Sequence, residues 1–328
     1  MALGLLSCRC SSSSTTNTAV ISDAGVSSDQ ACLDYAQASC AKRQSCTNLV
    51  VTSGAQIVAL FGNSSTCVER EKLMCLGSVR AARSGFTPTN VERCVTAHAK
   101  WSCSDFLDNI PPAECTPVGS GSDGAACAFN SQCKSGFCVG DHQKLCGVCG
   151  TSPPTGASCS VSFCGHDQIC VSGQCQTRVA PGAACDNTTA PCQAGLTCTG
   201  AVGTTKTCQA ALINSTDTCG GANPGCFFAQ GLWCSSATHL CTNISYVGSG
   251  QPCGTASDGT HAECQAGNCY TSSGPAAATD LGTCVANAGD GEACDTMLGP
   301  TCIMPARCIT DDGGSRGTCI VPDGTTCG

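Results

Sequence analysis

Aromatic side chains are scarce in this chain: two tryptophans, three tyrosines and eight phenylalanines serve 328 residues. Charged residues are scarce as well, at 12%. Aromatics supply the largest buried area per side chain, so a chain this poor in them does not fill large hydrophobic cores over most of its length. No apolar run reaches the roughly 18 residues that a transmembrane helix needs. Basic residues are outnumbered, 15 against 23 acidic, for a net charge of −8, and residues 127–328 hold only 6 of the basic and 13 of the acidic side chains. That balance repels phosphate and excludes nucleic acid as a partner. Walker and HExxH runs are missing too. The reading that follows is non-enzymatic, with an enzyme concealed in the helical region as the less favoured alternative.

What the chain has instead is cysteine, 36 of 328 residues, above the roughly 8–10% that marks a disulfide scaffold. A bridge typically contributes about 2–4 kcal/mol, chiefly by restricting the unfolded chain, so regularly placed bridges replace a missing core. Such bonds persist in oxidising compartments, which places the protein outside the cytoplasm, secreted or at the cell surface. A metal–thiolate protein is the reducing alternative. Zinc cages use tight CxxC steps, because several thiolates must meet at one ion; here the cysteines mostly lie four to ten residues apart and the repeats carry a single CxxC, Cys146 and Cys149.

Residues 28–115 read as an all-α, cysteine-bridged domain. "SSDQACLDYAQASCAKRQSC" sets Cys32, Tyr35, Ala36 and Cys40 at helical spacing behind a capping Ser28. Thr66 with Glu69, and Thr89 with Glu92, match capping boxes and predict two more helices. Cys32, Cys40, Cys46, Cys67, Cys75, Cys94, Cys103 and Cys115 make an even count of eight, which predicts four bridges within this block. The proline- and glycine-rich stretch 116–126 reads as a linker.

From 127 to 328 the chain repeats. A glycine stands three residues before a cysteine at Gly124, Gly156, Gly182, Gly250, Gly291 and Gly324, and units start at 127, 159, 185, 219, 253 and 294, with a further start at 327. The units hold Cys127, Cys133, Cys138 and Cys146; Cys159, Cys164, Cys170 and Cys175; Cys185, Cys192, Cys198 and Cys208; Cys219, Cys226, Cys234 and Cys241; Cys253, Cys264, Cys269 and Cys284; Cys294, Cys302, Cys308 and Cys319. Short apolar pieces between turn residues predict tandem four-cysteine β-hairpin modules, colipase- or EGF-like in style. Four cysteines allow three pairings, of which first-to-third with second-to-fourth is preferred. Modules strung in a line predict a stalk.

The ends carry their own expectations. "LLSC" at 5–8 matches a bacterial lipobox, which predicts acylation of Cys8 and a lipid anchor, followed to residue 27 by a Ser/Thr-rich tether. The seven residues before Cys8 lack the basic and apolar regions of a signal peptide, so either the start lies upstream or the match is chance. Cys327 reads as the opening of a truncated unit. With Cys8 acylated an odd number of cysteines remains, and Cys10, Cys149 and Cys327 are the candidates for lacking a partner.

Smaller motifs favour structural readings. His98, His142, His166, His239 and His261 show no metal spacing, Asp311 and Asp312 lack the alternation of a calcium loop, and "CGVC" at 146–149 has no helix to activate it and is read as a structural bridge. No cofactor is implied. Asn63, Asn187, Asn214 and Asn243 lie in glycosylation sequons. "CFFAQGLWC" concentrates Phe227, Phe228 and Trp233 in nine residues and is the candidate contact patch.

Across Cys127, Cys133, Cys138, Cys146, Cys149, Cys159, Cys164, Cys170 and Cys175 the order of gaps resembles the N-terminal cysteine-rich domain of Dickkopf proteins, secreted antagonists of Wnt co-receptors with a colipase-like fold. The adjacent cysteine pair of that domain is absent, since Gly165 follows Cys164. The whole arrangement is also similar to Dickkopf-like surface lipoproteins of myxobacteria-type organisms. The resemblance implies an extracellular binding role toward a protein or glycan, as a stalk with binding modules or, alternatively, as a secreted inhibitor or receptor antagonist.

Overall fold

The structure, a computed structural model, describes residues 25–141, 143–160, 162–201, 203–277, 280–310 and 314–327. Cys8, Cys10, His142, Asp311 and Asp312 lie outside the described residues. The protein is small-domain and disulfide-rich, with a helical N-terminal part, many small β-hairpin sheets and 17 disulfides among the described residues.

Five helices form the first part: α1 Ser28–Thr47, α2 Ala55–Phe61, α3 Ser64–Arg80, α4 Pro88–His98 and α5 Cys103–Leu107. The caps fall earlier than the sequence patterns place them. Ser27, Asn63 and Thr87 accept the first-turn amides of Gln30, Thr66 and Asn90 in place of Ser28, Thr66 and Thr89. The reason is local: Asn63 precedes Thr66 and is a strong cap, and Pro88 at the first helical position fixes Thr87 as the cap.

Cys32 and Cys40 lie on one face of α1, as Cys67 and Cys75 do on α3. The bridges Cys32–Cys75 and Cys40–Cys67 therefore rivet the two helices antiparallel at two levels. Around them pack Ala31, Leu76 and Val91 at one level and Ile57 and Phe61 at the other. Cys46–Cys103 ties α1 to α5, and Cys94–Cys115 closes α4 onto the segment after it. A polar pair sits inside this hub, with Arg43 Nη2 3.3 Å from Glu71 Oε1. Burial raises the Glu71 carboxyl and Arg43 opposes the rise, while burial and the nearby Glu71 raise the Tyr35 hydroxyl.

The hairpin half repeats one arrangement. In each unit two strands pair antiparallel with two cysteines directly opposed: Cys138 and Cys149, Cys170 and Cys175, Cys198 and Cys208, Cys234 and Cys241, Cys269 and Cys284, Cys308 and Cys319. Opposed cysteines are not joined to each other. Each bonds back to an earlier cysteine of its unit, first-to-third (Cys127–Cys138, Cys159–Cys170, Cys185–Cys198, Cys219–Cys234, Cys253–Cys269, Cys294–Cys308) and second-to-last (Cys133–Cys149, Cys164–Cys175, Cys192–Cys208, Cys226–Cys241, Cys264–Cys284, Cys302–Cys319). The two bridges lie side by side and serve as the unit's core, most plainly for Cys127, Cys133, Cys138 and Cys149, which are buried together.

The recurring glycine now has a mechanical role. Gly124, Gly156, Gly182, Gly250 and Gly291 all have φ between 76° and 86°, a region that costs other L-residues roughly 1 kcal/mol or more. There each donates its N–H to the carbonyl of the last cysteine in its unit, for example Gly182 to Cys208 at 2.8 Å. Gly324 departs from the rule and packs its backbone against Ala81.

Two expectations fail in the first unit and at Cys327. Cys146 and Cys149 do not bridge each other, and neither Cys149 nor Cys327 is unpaired. Cys149 pairs with Cys133, and Cys146 pairs with Cys327, 181 residues away. Nor do the units run out as a free stalk. They wrap the helices as a collar, touching the hub in sequence: the first unit at Ser78 and Ala82 through Ser131 and Gln132, the third at Asp108 through Ala194, the fourth at Cys46 through Gln230, the fifth at Val58 through Ala266 and the sixth at Arg70. Pro322 and Gly324 return to Gly77 and Ala81, and the Cys146–Cys327 bridge fastens the end of the collar to its first unit.

Candidate functional site

A cavity of about 730 Å³ opens where the collar closes on the hub. Its hub wall is built by Tyr35 of α1, Met74 and Ser78 of α3, and Phe86 before α4; the linker supplies Pro117 and Val118. The other wall is collar: Phe129 and Phe137 of the first unit, Phe163 and His166 of the second, and Arg307 of the sixth. Volume and lining fall within the range of roughly 300–1,000 Å³, mostly apolar with few polar groups, that suits a small ligand. Exposed Val118 and Met74 stand on its rim, and Phe137 is buried behind it.

The collar side of the lining carries the charged and imidazole groups, Arg307, His166 and Asp167, and Ser78, Asn109, Thr116, Ser131 and Ser135 are further polar lining. Arg307, on the strand Arg307–Ile309, donates Nη1 to the carbonyls of Lys144 at 3.1 Å and Leu145 at 3.4 Å, and Nη2 to that of Ala128 at 3.4 Å. Its guanidinium carbon lies 5.0 Å from the Phe163 ring centroid, a cation–π contact. Burial holds the guanidinium below its ordinary value. Beside it the Nε2 of His166 is 3.5 Å from the Asn130 amide, and burial lowers the imidazole's pKa against the pull of Asp167.

The aromatic segment singled out in the sequence lies elsewhere. Trp233 stacks on His261, ring centroids 4.2 Å apart and 15° between planes, and Phe228 meets both edge-on. Gly231 of the same segment packs on Val50 and Ala55, so the stretch cements the fourth unit to the fifth and to the hub. Phe228 remains 48% exposed.

Under Trp233 the structure assembles a hydroxyl, an imidazole and a carboxylate that the sequence did not reveal. Thr255 Oγ1 lies 2.9 Å from His261 Nδ1, and Glu263 Oε1 2.8 Å from His261 Nε2. Register accounts for it: Thr255 opposes His261 across the strand pair, and Glu263 lies two residues on along the same face. The imidazole is 1% exposed, with Trp233 stacked on it and Phe228 edge-on to it.

Three-sulfur clusters such as Cys127, Cys133 and Cys138 lie close enough for a metal, but each of these sulfurs is in a disulfide and has no thiolate to offer. His98 approaches the sulfur of Cys94, itself bonded to Cys115. Among the described residues no helix is long and apolar enough to cross a membrane.

The sequence reading missed Arg307, Arg70, Arg178 and Asp108 as tie residues. Isolated charges carry no periodic signal, and their partners lie far along the chain. Compared with protein-family models, with curated proteins and with solved structures, the chain matches none.

Proposed function

We propose that this chain is a non-enzymatic extracellular or cell-surface protein whose sulfur-bridged frame presents binding surfaces to a protein or glycan partner. The observation that carries the reading is the bonding of every cysteine from Cys32 to Cys327 in a disulfide, a state that persists only in oxidising surroundings. In this reading the units are tandem four-cysteine hairpin modules in the style of colipase and EGF-like proteins. The Dickkopf-like gap order supports an extracellular binding role, with Phe228 and its neighbours Phe227 and Trp233 as the contact patch. The lipobox match makes Cys8 the acyl anchor to an outer membrane.

Two measurements test it. Thiols are counted in protein recovered from its native host under alkylating conditions, before any reductant: almost none free is expected, and a largely reduced protein overturns the reading. Phe228→Ser is then compared with the parent on glycan and extracellular-protein arrays. Loss of binding at an unchanged melting temperature is expected; unchanged binding removes the patch.

A second reading, a secreted inhibitor or receptor antagonist, is favoured by one loop. Met297 and Leu298 are 58% and 45% exposed on a turn held by Asp295, whose Oδ1 accepts both their amides at 2.8 and 3.0 Å. Those bonds hold the Asp295 carboxyl down at about 2. Inhibition of a panel of secreted proteases, abolished by Met297→Asp/Leu298→Asp, is expected under this reading; a parent protein with no inhibition removes it.

A further inference from the structure

Among the described residues, the other guanidiniums largely withdrawn from solvent each face a carboxylate. Arg43 meets Glu71 at 3.3 Å, Arg70 meets Asp290 at 2.7 Å and Arg178 meets Asp108 at 2.9 Å. Arg307 does not. Its acceptors are three neutral carbonyls, and among the described residues none forms an ion pair with it. A cation withdrawn from water and offered only peptide dipoles is left with unspent attraction for an anion. It lines the cleft of about 730 Å³ together with Asn130, His166 and Asp167, in a lining that is mostly apolar.

We propose that this cleft binds a small amphiphile with a carboxylate head, the head at Arg307 and the apolar body along Phe86, Phe129 and Val118. The ligand supplies the anion that Arg307 does not meet within the described fold, since Asp167 of the same lining forms no ion pair with it, and its hydrocarbon covers rim residues that are otherwise exposed. Arg307 also joins the sixth unit to the first next to Cys146, so an occupant touches the hub and both ends of the collar at once. The inference rests on the binding reading above and adds a ligand class to it.

Calorimetric titration of the oxidised full chain with decanoate and with decanol separates the terms. Decanoate is expected to bind, and Arg307→Met to weaken it by about tenfold or more while leaving decanol unchanged. Val118→Trp, which fills the rim, is expected to abolish both. Because Arg307 also braces the collar, each variant is first shown to have no free thiols, and Arg307→Lys, which keeps the charge and loses the fork, is expected to fall between parent and Met. Equal binding of decanoate and decanol by parent and Arg307→Met overturns the carboxylate assignment and leaves a binding cleft. Binding of neither by a fully bridged parent overturns the cleft as a lipid-like site, while the array measurement with Phe228→Ser judges the broader reading by itself.

Discussion

The hub and the collar use the same covalent bond for different purposes. Cys32–Cys75 and Cys40–Cys67 join helices that already bury Ala31, Leu76, Val91, Ile57 and Phe61. In the sixth unit the buried cluster is Cys294, Cys308 and Cys319 with Ala288 and Ala306, and partly buried Cys302 and Val321 pack against it. Removing a bridge from the hub leaves an apolar layer in place, whereas removing one from a collar unit takes away most of what that unit buries. Disulfide density alone therefore does not describe the protein, because in one region the sulfur fastens a core and in the other it is the core.

The largest effect that sharpens this contrast is expected from deleting one bridge in each region. Cys294→Ser/Cys308→Ser is expected to cost about 2–5 kcal/mol and to unfold its unit, seen as rapid hydrogen exchange across residues 293–320. Cys32→Ala/Cys75→Ala is expected to lower the melting temperature while the helical circular dichroism persists at 25 °C. Equal loss of structure in both variants breaks the comparison.

Next is the fastening between collar and first unit. Cys146→Ser/Cys327→Ser is expected to cost about 2–4 kcal/mol and to expose residues 320–327 to protease, with the remaining bridges unchanged by mass mapping. A smaller loss, about 1–3 kcal/mol, is expected from Arg70→Met. That change strips the carbonyls of Met304 and Ile303 and the Asp290 carboxylate of their shared partner; faster exchange confined to the sixth unit checks it.

The smallest effect is on pH and belongs to the hub. His98 is buried, its Nδ1 donating to the Cys94 carbonyl at 2.8 Å, and burial lowers its pKa from the ordinary 6.5. The folded state thus binds its proton less readily than the unfolded chain. The stability this contributes is complete above pH 6.5 and declines as the pH falls below that value toward the folded pKa. His98→Gln is expected to flatten that part of the stability profile, measured by chemical denaturation between pH 7 and 5; an unchanged slope assigns it to other groups.

Much of the local plan was legible in the sequence. Cysteines eight apart on two helices signal a riveted pair, and the glycine three residues ahead of a cysteine signals one repeated turn. The short helix α2 escaped because "AQIVALF" has no capping side chain; Gly54 precedes it, with φ of 91° pressed against Thr47 and Gln44. The collar's path escaped for a different reason. Arg70 and Asp290 are 220 residues apart and Cys146 and Cys327 181 apart, and they meet only once the intervening units have folded against the hub; nothing near either partner records that path. The cleft was hidden with it, because its two walls belong to segments that the fastening brings together.

That fastening also dictates a schedule as the chain is made. Cys146 emerges long before Cys327, and until then its nearest competitor is Cys149, three positions away. A nascent chain is therefore exposed to a local mispairing that only thiol–disulfide exchange can undo. The protein should depend on a disulfide isomerase in its compartment of assembly, and a host deprived of that enzyme should accumulate chains trapped at the first hairpin.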